Sequence, residues 1–109
     1  MELLEYRNEQ WMVISVKGRI DIATSGELQE KLMKLLEQEK HVIMDCKGID
    51  FISSSGLRVF LLASKALKKE GGSFALCSPQ ESVKEVFDIS GLSSVFSIFD
   101  TLEDALKAK

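Results

Sequence analysis

The sequence predicts an α/β domain: a mostly parallel mixed sheet of about five strands with four helices, in a single unit spanning residues 1–109. Three observations carry that reading. Short apolar runs alternate with amphipathic helical patterns, the order that builds right-handed crossovers between parallel strands. The first two runs have no helix between them and pair as an antiparallel hairpin. A chain of 109 residues is long enough for one core and too short for two lobes around a cleft.

The hairpin consists of Leu3 to Tyr6 and Trp11 to Val16, separated by the polar, turn-like Arg7-Asn8-Glu9-Gln10. In its second strand Trp11, Val13 and Ser15 alternate with Met12, Ile14 and Val16, which predicts helical cover on one face and lighter cover on the other. Gly18 lets the chain bend toward Arg19-Ile20-Asp21. Thr24 and Glu27 have capping-box spacing, so the first helix is expected to start there, with Leu28, Leu32, Leu35 and Leu36 as its apolar stripe. Val42 to Cys46 is apolar on both alternating sets until Asp45, the pattern of a central strand, and Lys47 to Asp50 reads as its connection.

A second helix is expected from about Gly56 to Glu70, ending at Gly71-Gly72. Leu57, Phe60, Leu61, Ser64 and Leu67 form one of its faces. Val59, Leu62, Ala63 and Ala66 form another, leaving Arg58, Lys65 and Lys69 as a narrow polar strip. A helix this apolar is either buried between neighbours, the reading preferred, or keeps surface for a partner. Ser73 to Cys77 is the next strand. Ser78-Pro79-Gln80-Glu81 supplies a serine cap, a first-turn proline and a capping-box glutamate for a third helix with Val83, Val86 and Phe87 inside and Gly91 as its stop. Val95 to Phe99 is a last strand, and Asp100 to Glu103 opens a final helix that docks through Leu102, Ala105 and Leu106.

The totals narrow the function. Fourteen basic residues against 17 acidic ones give a net charge of −3, and the basic residues are scattered, so no nucleic-acid-binding stripe is present. The longest unbroken apolar run, Val59 to Ala63, is far below the roughly 20 residues of a membrane span. Glu2 and Glu5 stand where a signal peptide would be basic, and the expected location is cytoplasmic, without membrane insertion. Cys46 and Cys77 lack partners at metal-ligand spacing and read as buried free thiols. His41, the only histidine, has no nucleophile in a recognisable context. No cofactor or metal is implied.

The stretch that stands out is Asp50-Phe51-Ile52-Ser53-Ser54-Ser55-Gly56-Leu57, where an apolar run meets three hydroxyls and a glycine ahead of a helix. Serines there can cap the free N–H groups, and the same helix end favours negative charge, so the site suits a plain cap or a phosphoserine. In open sheets of this class, sites gather where strands end and helices begin. An enzymatic alternative rests on Asp21, Asp45 and Asp50 clustering as a metal-assisted phosphoryl-transfer site. Neither a Lys-Ser/Thr phosphate loop nor a nucleophile elbow accompanies them, so an enzyme is not expected.

Three segments together resemble the STAS domains, specifically the stand-alone anti-sigma factor antagonists of bacteria: Gly18-Arg19-Ile20-Asp21, Phe51 to Leu57, and Phe87-Asp88-Ile89-Ser90-Gly91-Leu92. The resemblance runs over essentially the whole length. It implies a non-enzymatic switch in which the unmodified protein binds an anti-sigma factor that is itself a serine kinase and so releases the sigma factor. Phosphorylation at the helix N-terminus ends that binding, and a serine phosphatase would reset it. It also implies Ser54 as the acceptor, with Ser53 and Ser55 as competing positions, and Asp21, Ser53, Ser55, Gly56, Leu57 and Arg58 as partner-binding residues. One departure is visible: Ser53 stands where the family usually has Asp. The alternative is a STAS subunit of another assembly, a signalling scaffold or lipid-transporter component, with no phospho-switch.

Overall fold

The computed structural model describes residues 1–108. Five strands form one sheet in the order of the chain: β1 (Glu2–Asn8), β2 (Trp11–Ile20), β3 (His41–Ile52), β4 (Ser73–Cys77) and β5 (Ser97–Phe99). β1 pairs antiparallel with β2, and the other pairings are parallel. The helices are α1 (Ile22–Leu36), α2 (Ser54–Lys69), α3 (Glu81–Ile89) and α4 (Leu102–Leu106), with a short 3-10 turn at Leu92–Ser94.

Parallel strands added one after another in the same direction, each by a right-handed crossover, put every crossover helix on the same side. Accordingly Leu28 and Leu32 of α1, Leu57, Phe60, Ala63 and Leu67 of α2, and Val83 and Phe87 of α3 share one core with Ile14, Val16, Val42, Met44 and Leu76 of the sheet. Phe60, Phe74, Phe87 and Phe96 form an aromatic cluster there, with centroid separations from 5.8 to 6.4 Å. The opposite face has a smaller core, Trp11, Val13, Ile43, Ala75 and Cys77, closed by Ala105, Leu102 and Leu106 of α4. The unequal cover predicted from β2 is therefore three helices against one.

Several elements differ from expectation. β3 runs to Ile52, because two register shifts against β2 give it extra residues: Ser15 pairs with Asp45 but Lys17 with Gly48, and Gly18 with Ile49 but Arg19 with Phe51. Its inward residues are thus Val42, Met44 and Cys46 at a spacing of two, then Ile49 and Ile52 at a spacing of three. Bulges reset the side-chain parity, so simple alternation ends at Cys46 although the strand does not. Helix α1 begins at Ile22, capped by Asp21. Glu27 does not reach back to Thr24 but pairs with Lys31 at 3.0 Å. Helix α3 starts at Glu81 after Gln80, with no side-chain cap, since Ser78 takes a left-handed conformation (φ 55°) that ends β4 instead. In α2, Val59 and Ala63 are buried and Leu62 stays 38% exposed, so burial accounts for most of its second apolar face.

Candidate functional site

Two neighbouring strands end together, and each passes directly into a helix. Arg19 pairs with Phe51 and Ile20 with Ile52, and the Ser53 N–H donates to the Ile20 carbonyl at 2.8 Å, extending the contact one residue past β3. Asp21 and Ser53 are consequently the N-caps of α1 and α2. The two helix N-termini emerge from adjacent strand ends, where the summed peptide dipoles favour negative charge.

The Asp21 end is satisfied by a carboxylate. Its Oδ1 accepts from the N–H groups of Ala23 at 3.0 Å and Thr24 at 3.2 Å. The Thr24 hydroxyl in turn accepts from the Asp21 N–H at 2.9 Å and donates to the Arg19 carbonyl at 2.9 Å. Desolvation pushes the Asp21 carboxyl up, but the hydrogen bonds from Thr24 and Ala23 and the nearby Arg19 charge outweigh it and hold the pKa below its ordinary value.

The Ser53 end is capped by a hydroxyl, with no carboxylate. Ser53 Oγ accepts from the Gly56 N–H at 3.3 Å and shares a 2.7 Å hydrogen bond with Ser55 Oγ. No acidic residue occupies the first turn of α2. Ser54, the first helical residue, is exposed and takes no part in this network. Gly56 brings the turn against the sheet: a Cβ there would lie 2.6 Å from Ile20 Cγ2 and 2.9 Å from Ile52 Cγ1. A side chain at that position would lift the serines off both strand ends.

The six residues implied as partner-binding fall into two groups. Asp21, Ser53 and Ser55 are half-buried and Arg58 is exposed one turn along α2, whereas Gly56 and Leu57 are buried and offer no outward surface. Gly56 and Leu57 position the turn from beneath. Three neighbours complete the surface, two of them within the family-like motifs and one, Ile22, not singled out by the sequence: Ile22 is 85% exposed, Phe51 is 39% exposed, and the Arg19 guanidinium lies over the Phe51 ring at 4.2 Å. Ile22 escaped notice because the cap was placed at Thr24, three residues after the observed cap Asp21. Its signal was an isoleucine immediately after an Asp that can cap.

The other candidate groups lie apart. Among the described residues no three His, Cys, Asp or Glu side chains come close enough to hold a metal ion. Asp45 accepts from the Lys47 N–H at 3.1 Å. His41 packs edge-on against Trp11 at 5.8 Å, at the opposite ends of the strands. Cys46 belongs to the three-helix core and Cys77 to the α4 core, so the sheet separates their side chains. Burial and then the Asp45 charge push the Cys77 thiol up to about 11, and burial raises Cys46 further. No helix among the described residues is long and apolar enough to cross a membrane.

Residues 3–105 match the STAS domain, and the chain belongs to that family. BtrV of Bordetella bronchiseptica is 33% identical over 99% of this chain and 94% of its own length. The anti-sigma-B factor antagonist of Bacillus subtilis is 35% identical, with 84% of each chain covered. Among solved structures, an anti-sigma factor antagonist from Mycobacterium paratuberculosis superposes with a TM-score of 0.87 at 25% identity, covering 96% of this chain and 90% of that one.

Proposed function

We propose that this protein is an anti-sigma factor antagonist switched at Ser54: the unmodified form binds an anti-sigma factor with serine kinase activity, and phosphate on Ser54 ends that binding. One observation carries the assignment among three adjacent serines. The hydroxyls of Ser53 and Ser55 are occupied with each other, while Ser54 is exposed at the first position of a helix whose N-terminus holds no carboxylate. The names of the relatives support the antagonist role.

The physical effect of modification is asymmetric. A phosphate adds about −1.5 to −2 charges at a helix end that favours them, so the fold survives. A partner surface pressed against Ser54 would have to desolvate that phosphate and meet the Asp21 carboxylate beside it, a penalty of several kcal/mol, which is enough to abolish binding. The switch therefore acts on the complex and leaves the domain intact.

The test is phosphosite mapping by intact mass and fragmentation on protein isolated from its own cells, with Ser54→Ala beside it. Phosphate on Ser54 that vanishes in the variant is the expected result, together with co-purification of a kinase-type anti-sigma factor that Ser54→Asp no longer retains. Unmodified protein under every growth condition, co-purifying with a membrane ATPase or a large homomeric scaffold, would replace this reading with that of a subunit without a phospho-switch.

A further inference from the structure

We propose that Ile22, Phe51 and Arg19 form the docking surface that selects the protein acting on Ser54, and that this partner presents an apolar cleft flanked by a carboxylate. The inference rests on the phospho-switch reading above and adds what holds the partner in place.

Ile22 is the most exposed large apolar side chain among the described residues, at 85%, and follows directly after Asp21. Nothing in the fold requires an isoleucine there: α1 already buries Ser25, Leu28 and Leu32, and the first helical position is satisfied by small or polar residues. Phe51 is 39% exposed on the neighbouring strand end, three residues before Ser54. An isoleucine and a phenylalanine flanking the acceptor loop give a binding protein what an interface centre needs, apolar area that is desolvated on contact.

Arg19 gives the surface its sign. Its side chain is 60% exposed, and its Nε lies 3.7 Å from Asp21 Oδ2, beyond hydrogen-bond distance, while Oδ1 of the same carboxylate accepts from the α1 N–H groups. The guanidinium lies over the Phe51 ring, 4.2 Å from its centroid, which holds the side chain beside the apolar patch. Its outward N–H groups suit a carboxylate, which guanidinium binds with two parallel hydrogen bonds. Leu4, by contrast, is 72% exposed on edge strand β1, on neither helix N-terminus.

The experiment uses the full chain and the purified kinase-type anti-sigma factor that labels Ser54. Affinity is measured for Ile22→Ser, Arg19→Gln and, as a control, Leu4→Ser, and the Ser54 labelling rate is followed at low and moderate salt. The expected results are at least a tenfold loss of affinity for Ile22→Ser, a loss with weakened salt dependence for Arg19→Gln, and no change for Leu4→Ser, with all three variants folded by circular dichroism. Unchanged affinity in Ile22→Ser and Arg19→Gln while Ser54 is still labelled overturns the docking surface alone. The absence of any kinase that labels Ser54 overturns the switch and the docking surface with it.

Discussion

The N-termini of α1 and α2 leave adjacent strand ends and differ in the residue that caps them, a carboxylate at one and a hydroxyl at the other. Each begins after an extended residue whose side chain accepts from the first turn: Asp21 at α1 and Ser53 at α2. At α1 the carboxylate meets the positive helix end internally. At α2 the Ser53 hydroxyl accepts from one N–H, that of Gly56, and no charge meets the dipole from the cap or the first turn, with an exposed serine at the first position. The difference teaches where a negative charge stands and where it does not: the α1 end has one in its cap, and the cap and first turn of α2 have none.

The largest effect comes from the feature that keeps the two ends together. Gly56→Val forces its side chain into Ile20 and Ile52. The expected cost is about 2–3 kcal/mol from overpacking, read as a lower urea midpoint, and the serine turn separates from β2. Asp21→Ala comes next, because it removes the cap and the charge of α1, and it lowers the urea midpoint by less than Gly56→Val. The pH dependence has a definite sign. The Asp21 pKa is lower in the folded state than in the unfolded chain, so its contribution is complete above the ordinary Asp value of about 3.9 and is lost as pH falls through the folded value. Asp21→Asn, which can still cap, flattens that part of the acid unfolding curve. If its curve matches that of the unmodified protein, the carboxylate is not what distinguishes α1.

The smallest expected effect sharpens the comparison most. Ser53→Asp makes the α2 cap resemble that of α1 and should raise stability by about 0.5 kcal/mol near neutral pH through the helix dipole, a gain that disappears in acid. The same change places a carboxylate next to Ser54, so it discriminates capping from recognition. A stability gain with unaltered Ser54 phosphorylation means that the kinase does not read position 53.

Much of this arrangement was legible in the sequence because it depends on local chemistry. Serines ahead of a glycine and an apolar helix identify a helix N-terminus whatever the fold, whereas the choice of Ser54 among the three came from the resemblance to the STAS family. What was not legible depends on registration between strands. The bulges of β3 reset its inward parity, so Ile49 looks like a loop residue, and Ile52 like part of a separate apolar run, until β2 is set beside them. For the same reason Phe51 showed no sign of lying beside Arg19. The cap of α1 was misplaced because two cap-like residues, Asp21 and Thr24, compete at that spacing. Which one takes the extended backbone is settled by where β2 stops pairing, at Ile20.

The sequence by itself determined the α/β class, the hairpin, the helix stripes and the serine turn, since each follows from periodicity or from one residue's backbone preference. Only the tertiary structure decided that the strands lie in chain order, so that α1, α2 and α3 cover one face and α4 alone the other. It also brought Asp21 to Ser53 and Arg19 to Phe51. Those pairings join residues 32 positions apart, and a one-residue slip between β2 and β3 would turn their side chains to opposite faces.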